Sequence, residues 1–141
     1  QAMEESVNVA YSYVIANKKD FKIKDDLLNE KDLHVHFLEG AIKKDGPSAG
    51  VSIVSAILSL FLNKEVSKDI AMTGEISLKG DVLKVGGLKE KVIGAYNNGI
   101  KKIFIPYTNS CDLDEIPKIV KDELEIVLVK NYKEIFKEIF K

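Results

Sequence analysis

The chain has 141 residues, of which 45% are hydrophobic and 30% charged, and its 21 basic and 22 acidic residues leave a net charge of −1. These values predict one soluble globular domain over residues 1–141 and exclude a disordered chain. The near-neutral charge argues against nucleic acid as a partner, because such binding relies on neutralising phosphates. Every basic residue is a lysine, so the bidentate guanidinium contacts of many specific phosphate sites are not available.

Cysteine content and hydropathy narrow the class further. A single cysteine, Cys111, cannot form an internal disulfide or a cysteine-based zinc cluster, and it fits a reducing compartment. Residues 1–14 are acidic and mixed, which does not predict a secretory signal. The longest uncharged stretch, residues 47–63, is shorter than the ~20 residues of a membrane span. We therefore expect no membrane partner.

Hydrophobic periodicity predicts three elements in the first half of the chain. Residues 33–37 alternate with a period of two, which predicts a half-buried strand with His34 and His36 on one face. Residues 49–62 predict a buried helix, and residues 18–32 are mainly loop. A helix over residues 3–17 is predicted from an apolar stripe formed by Val7, Ala10, Tyr11, Val14 and Ile15.

The second half alternates strands with helices, which predicts a parallel sheet with covering helices. The fold class is therefore α/β, or α+β with a mixed sheet. Residues 70–73 and 82–85 are predicted as strands joined in a hairpin through a turn at residues 79–81. The further predicted elements are a helix over residues 88–98 that stops at Gly99, a strand over 102–105, a helix over 113–121, a strand over 125–129 and a helix over 131–141 with Asn131 as N-cap. Pro117 marks either the first turn of the helix over 113–121 or a break in it.

Ser48 lies where the buried helix is predicted to begin. Backbone N–H groups without partners and the positive end of the helix dipole at this position would stabilise a developing oxyanion. Gly46 and Gly50 allow close backbone approach, and Pro47 rigidifies the turn. The alternative is that Ser48 only caps the helix, since serine is a favoured N-cap residue.

A serine nucleophile needs a base, and the chain offers two kinds. His34 and His36 are the only histidines. Their spacing would also suit a metal, but no third ligand follows at a recognisable spacing, and a structural role is the alternative. The other candidate is a desolvated lysine. A free lysine has a pKa of about 10.4, so accepting a proton near neutral pH requires a decrease of about 3 units, which burial can supply.

Lys89 and Lys91 both lie in the predicted helix over residues 88–98, about 200° apart around its axis. Lys91 lies between Leu88 and Ala95 on the apolar face, so the spacing predicts that Lys89 is the solvated lysine. The alternative is that the Lys91 side chain extends to solvent at the edge of the helix.

Four short motifs occur in a fixed order: DGPSAG at residues 45–50, AMTGEI at 71–76, GGLKEK at 86–91 and NGIK at 98–101. Together they resemble the C-terminal proteolytic domain of the Lon family of ATP-dependent proteases. The similarity extends over residues 3–106, and Lys91 follows Ser48 by 43 positions, as the family pattern requires. The resemblance implies the Lon-type fold, a relative of two-layer, ribosomal-protein-like domains.

The resemblance implies a serine endopeptidase with a Ser-Lys dyad, in which Ser48 forms an acyl-enzyme and Lys91 transfers the proton. It also implies supporting residues, each with a plainer alternative. The Thr73 hydroxyl would bind the lysine amine, the alternative being a β-branched strand residue. Glu75 would support the site or be a solvated turn carboxylate.

Asp45 resembles a family aspartate that pairs with the lysine in inactive conformations. An opposite charge disfavours a neutral lysine, so we interpret Asp45 as a switch or loop-shaping residue rather than a base. His36 resembles a histidine near the site. Cys111 is the rival nucleophile by residue type, but acidic neighbours disfavour a thiolate there.

The resemblance further implies unfolded or damaged proteins and small peptides as substrates, a homo-oligomeric ring of six, and an attached AAA+ ATPase that uses ATP and Mg. The domain itself is expected to need no cofactor or metal. No Walker motif occurs in the sequence, so ATP hydrolysis by that route is not expected from this chain. The expected location is the bacterial cytoplasm, with the mitochondrial matrix as the alternative.

Two other function classes are alternatives for this sequence. A non-catalytic Lon-like assembly domain would lack the serine and the lysine, both of which occur here. A phosphate-binding domain like those of small-molecule kinases would use the glycine-rich turn before the buried helix, but the absence of arginine disfavours it.

Overall fold

The fold is taken from a computed structural model that describes residues 2–24 and 49–140. The predicted strand at residues 33–37 lies outside these ranges. None of the described helices is both long and apolar enough to cross a membrane. In chain order the elements are α1 (Ala2–Ala16), α2 (Gly50–Leu62), β1 (Ile70–Met72), β2 (Glu75–Ile76), β3 (Val82–Leu83), α3 (Leu88–Asn97), β4 (Lys102–Pro106), a 3₁₀ helix (Tyr107–Glu115), α4 (Lys118–Glu123), β5 (Glu125–Val129) and α5 (Tyr132–Ile139).

A three-stranded parallel sheet lies at the centre of the described residues, in the order β1-β4-β5. Its register places Ala71 of β1 opposite Ile103 of β4, and Ile103 opposite Ile126 of β5. Parallel neighbours need crossover connections, and helices and turns outside the sheet supply them here. The predicted parallel sheet is confirmed.

Side chains of β4 alternate between two apolar clusters, one on each face of the sheet. Phe104 is fully buried in a cluster with α1, α2 and α5. Ile103 and Ile105 are buried in the other cluster, with α3 and α4. The α/β class with covering helices is therefore confirmed.

The predicted hairpin exists, but its first strand was assigned wrongly. β1 pairs with β4, whereas the hairpin joins β2 to β3, with Glu75 opposite Leu83 and Ile76 opposite Val82. Gly74, between β1 and β2, has φ +155°. This backbone conformation suits glycine, and it separates the parallel strand from the hairpin within one short segment.

The predicted helix over residues 113–121 is broken at Pro117, which is one of the two roles that the sequence left open for this proline. The 3₁₀ helix ends at Glu115, and α4 begins only at Lys118. Pro117 is the N-cap of α4 with φ −56° and ψ 142°, and Ile116 before it is extended. A proline restricts the preceding residue to extended conformations, so it starts a new helix here instead of continuing one.

Both terminal helices were predicted within a few residues of their ends. The side chain of Asn131 accepts a hydrogen bond from Lys133 N–H, and Glu134 accepts from Asn131 N–H, so Asn131 is the predicted N-cap in a complete capping box. In α1 the stripe was partly wrong, because Tyr13 is fully buried and Tyr11 is exposed.

Tyr13 buries a hydroxyl that has no hydrogen-bond partner among residues 2–24 and 49–140. Its ring packs edge-on against Phe21 and Tyr132, with centroids 5.5 Å and 6.2 Å away. Burial, with smaller contributions from the charges of Asp20 and Asp81, raises the pKa of Tyr13 to about 12. The neighbouring Tyr132 hydroxyl, in contrast, lies 2.7 Å from the Ser55 hydroxyl.

Replacing Tyr13 with Phe is expected to raise the free energy of unfolding by about 1 to 3 kcal/mol at pH 7, because an unpaired hydroxyl no longer loses hydration. Because burial raises the pKa of Tyr13 from 10 to about 12 in the folded state, the wild type keeps its full stability below pH 10 and loses stability as pH rises from 10 towards 12. Tyr13→Phe should remove that part of the alkaline destabilisation. Urea denaturation of the wild type and the variant, at pH 7 and between pH 10 and pH 12, measures the free energy of unfolding in both ranges.

Tyr132→Phe is the matched control, because it removes a hydroxyl that has a partner in Ser55. It should lower stability at pH 7, by about 1 kcal/mol. A Tyr13→Phe variant that is destabilised as much as Tyr132→Phe would show that the Tyr13 hydroxyl is satisfied after all.

Candidate functional site

The structure describes part of the predicted site. Thr73, Glu75 and Lys91 lie within the described residues, as does the rival nucleophile Cys111. Outside them lie four predicted residues: His34, His36, Asp45 and Ser48. The described part of the site consists of the elements that follow Ser48 in the chain and that carry Thr73 and Lys91.

The first turn of α2 rests directly on the chain between β1 and β2. Val51 N–H donates a hydrogen bond to Gly74 C=O over 3.1 Å. A Cβ added at Gly50 would lie 2.7 Å from Ile76 N and 3.2 Å from Gly74 O, which is closer than side chains normally approach a backbone. The glycine therefore permits a contact that fixes the start of α2 against the residue that follows Thr73.

The N-cap position of α2 is Ala49, whose side chain makes no capping hydrogen bond. Ser48 is the residue before Ala49 in sequence and lies outside the described residues, so its capping role stays an alternative. The Val51 N–H is already bonded to Gly74. An oxyanion hole built from the start of α2 must therefore use other N–H groups than that one.

Thr73 is held at the end of β1 by the central strand. Its N–H donates to Phe104 C=O over 3.0 Å, which continues the β1–β4 pairing one residue beyond Met72. Its side chain is buried, with 6% relative exposure. Two α2 serines reach the same strand end: Ser52 donates to Met72 C=O and Ser55 to the Met72 sulfur. The Phe104 bond on one side, and the Val51–Gly74 and Ser55–Met72 bonds on the other, thus fix the position of Thr73 relative to α2, and the 3.4 Å bond of Ser52 adds little to them.

Glu75 lies on β2 and is exposed, opposite Leu83. A supporting role at the site and the alternative of a solvated turn carboxylate both stay predictions for Glu75.

Lys91 lies in the first turn of α3, where its N–H donates to Gly87 C=O over 3.2 Å. It is half-buried, next to the fully buried Val92, whereas Lys89 is exposed. The prediction that Lys89 is the more solvated of the two lysines agrees with this difference in exposure. The helix periodicity was sufficient for this, since the two residues are two positions apart.

Cys111 is exposed in the 3₁₀ helix. Its neighbour Asp112 accepts a hydrogen bond from Asn109. Across residues 2–24 and 49–140, no group of three or more His, Cys, Asp or Glu side chains is arranged to hold a metal ion.

Asn109, which no sequence pattern singled out, is fully buried beside the loop that leads into α3. In the sequence it appeared only as a neighbour of Cys111. Asparagine is common in loops and turns, so its type alone gave no signal of burial.

Replacing Gly50 with Ala is expected to destabilise the fold by about 1 to 3 kcal/mol, because the added methyl group meets backbone atoms that cannot move independently. The α2 start must then shift away from Gly74, so activity should fall as well. Urea denaturation and peptide turnover measure the two effects.

Gly94→Ala is the matched control for that change. Gly94 lies inside α3, and a Cβ added there would meet nothing within 4 Å. This variant should gain about 0.5 to 1 kcal/mol from helix propensity and keep its activity. Equal destabilisation of both variants would contradict the close packing at Gly50.

Comparison with known proteins shows that the chain is similar to members of one family. The family described as "Lon protease (S16) C-terminal proteolytic domain" matches residues 1–141. Lon protease of Mycoplasma pneumoniae is 49% identical over 140 residues, which cover 99% of this chain and 18% of that protein. Lon protease of Fusobacterium nucleatum is 50% identical over 139 residues, covering 98% and 18%. Lon protease of Brucella suis is 52% identical over 135 residues, covering 96% and 17%. The chain thus spans less than a fifth of the length of these curated relatives.

Proposed function

This chain belongs to the family of Lon protease C-terminal proteolytic domains, and on that premise we propose that it is a serine endopeptidase whose nucleophile is Ser48 and whose general base is Lys91. The observation that carries the proposal is the seating of α2 on Gly74. It holds the residues just after Ser48 in sequence against the strand end that carries Thr73. The half-buried orientation of Lys91 supports the same assignment.

In the proposed reaction, the Ser48 Oγ attacks the carbonyl carbon of the scissile peptide bond while the neutral Lys91 amine takes the hydroxyl proton. The resulting ammonium donates that proton to the nitrogen of the leaving amine as the C–N bond breaks, which leaves an acyl-enzyme ester. Water then attacks the ester carbonyl and gives a proton to Lys91. The same proton returns to Ser48 Oγ as the ester C–O bond breaks, which regenerates the enzyme.

We propose that the Thr73 hydroxyl orients the Lys91 amine by hydrogen bonding. The burial of Thr73 and the bond from its N–H to Phe104 C=O support this role, because they restrict where the hydroxyl can lie. Asp45 is proposed as a switch residue that pairs with the lysine in an inactive state, and His36 as a neighbour of the site. No metal or organic cofactor takes part in the proposed steps.

For the whole protein, we propose that this domain is fed by an upstream AAA+ ATPase that uses ATP and Mg. We also propose that it assembles as a ring of six and degrades unfolded or damaged proteins. The much greater length of the relatives, of which this chain covers 16% to 18%, supports additional regions. The bacterial source of those relatives favours the bacterial cytoplasm over the mitochondrial matrix.

The test is hydrolysis of a fluorogenic peptide and of an unfolded protein by the chain, without ATP and in the presence of a metal chelator. The proposal predicts multiple turnovers that the chelator does not change and that a serine-directed fluorophosphonate stops. If the chain is folded but hydrolyses neither substrate, the non-catalytic Lon-like assembly domain is favoured instead.

A further inference from the structure

A buried amide connects the two parts of the structure that carry Thr73 and Lys91. Asn109 is 0% exposed and lies in the 3₁₀ helix that directly follows β4. Burying an amide without hydrogen bonds is unfavourable by several kcal/mol on a water-to-hydrocarbon scale. A fully buried asparagine is therefore tolerated when its donors and acceptor are satisfied, and its partners show what it holds in place.

Asn109 makes three hydrogen bonds. Its Oδ1 accepts from Val85 N–H over 3.0 Å, and its Nδ2 donates to Val85 C=O over 2.9 Å and to Asp112 Oδ2 over 2.7 Å. The orientation of the amide group is determined by Val85, because its N–H needs an acceptor and its C=O a donor. The side chain thus pairs with one backbone residue as a neighbouring strand would.

The residue held in this way lies just before the helix of Lys91. Val85 is followed by Gly86 and Gly87, and α3 then begins at Leu88. Neither glycine has a side chain to fix the path of the chain, and Gly86 is exposed with nothing within 4 Å of an added Cβ. The entry into α3 is therefore fixed by Val85 on one side and by the buried Leu88 on the other.

The other end of the connection leads to Thr73. The 3₁₀ helix that carries Asn109 continues from β4, and Phe104 of β4 accepts the hydrogen bond from Thr73 N–H. Asn109 therefore joins the strand that locates Thr73 to the loop that locates the first turn of α3. Lys91 lies in that turn.

We infer that Asn109 is a positioning residue, which sets the place of the Lys91 amine relative to the rest of the site by fixing Val85. This inference rests on the proposed function, because it assigns a consequence for catalysis to a contact that does not touch the substrate. Asp112 assists by accepting the third hydrogen bond, and it orients the Asn109 amide.

The test compares Asn109→Ala and Asp112→Ala with wild type at a temperature where all are folded by circular dichroism. Asn109→Ala should lower kcat for a fluorogenic peptide about 100-fold, the effect of a displacement near 1 Å, with KM little changed. Asp112→Ala removes one of the three hydrogen bonds and should lower kcat by a smaller factor. The rate of reaction with a fluorophosphonate should fall in the same order.

Asn98→Ala is the matched control. Its Nδ2 donates to Gly94 C=O over 2.8 Å at the opposite end of α3, so the variant loses a side-chain bond on the same helix without affecting the first turn. Its kcat should equal that of wild type. Wild-type kcat in Asn109→Ala, or a loss confined to KM, would overturn the inference.

If Asn109→Ala does not fold, Asp112→Ala decides, and a wild-type kcat in that variant overturns the inference. The proposed function fails separately, when Ser48→Ala or Lys91→Gln retains turnover. Loss of activity in those two variants together with full activity in Asn109→Ala would contradict only the positioning role of Asn109.

Discussion

Lys91→Gln is expected to lower kcat for peptide hydrolysis about 10²- to 10⁴-fold, which is the usual contribution of a general base. Glutamine keeps much of the length and polarity of the side chain but cannot accept the proton of the serine hydroxyl. Since Lys91 is only half-buried, the fold should survive the change. Steady-state kinetics give the activity, and urea denaturation gives the stability.

Lys89→Gln is the control for this variant. It makes the same chemical change two positions away on the exposed side of α3. Lys89→Gln should therefore have the kcat and KM of the wild type. Equal loss of activity in both variants would indicate that the positive charge of α3, rather than a general base, supports catalysis. Undiminished turnover by Lys91→Gln would exclude Lys91 as the base.

Ser48→Ala is expected to reduce turnover by at least about 10⁴-fold, because no other group replaces the nucleophile in a mechanism of this kind. Peptide binding should persist, so the variant should still bind an unlabelled peptide in a fluorescence anisotropy competition. Assays with a fluorogenic peptide measure the loss of turnover.

Ser52→Ala provides the comparison on the same helix. Ser52 is exposed in the first turn of α2 and donates only a long hydrogen bond, of 3.4 Å, to Met72 C=O. Its activity should stay near that of wild type. A Ser52→Ala variant as inactive as Ser48→Ala would indicate that the effect comes from α2 as a whole.

Local signals in the sequence predicted those elements that depend on local interactions. Asn131 with Glu134 three residues later forms the capping box of α5, and both residues are close enough in sequence for the pattern to be seen. The orientation of Lys91 away from Lys89 likewise follows from the helix period alone.

The failures arise where a distant partner decides the structure. β1 pairs with β4, about 30 residues later, rather than with the next strand in sequence, and no local signal distinguishes these partners. Asn109 is buried because Val85, 24 positions earlier, needs its amide. Pro117, in contrast, carried a local signal for a break in the predicted helix over residues 113–121, and the helix is broken there.

The candidate site was predictable in part for the same reason. The motifs identified Ser48, Thr73 and Lys91 through a resemblance, and the burial of Thr73 agrees with the position of that motif at a strand end. The contact of Gly50 with the backbone of Ile76 could not be predicted, because it depends on how α2 packs against the β1–β2 connection.

The most direct measurement of the central claim is the location of a fluorophosphonate adduct by peptide mass spectrometry. If Ser48 is the nucleophile and Lys91 its base, Ser48 is the one modified residue, and its modification is much slower in the Lys91→Gln variant because its hydroxyl is no longer deprotonated. Modification of Cys111, or modification of Ser48 at an equal rate in wild type and Lys91→Gln, would contradict the claim.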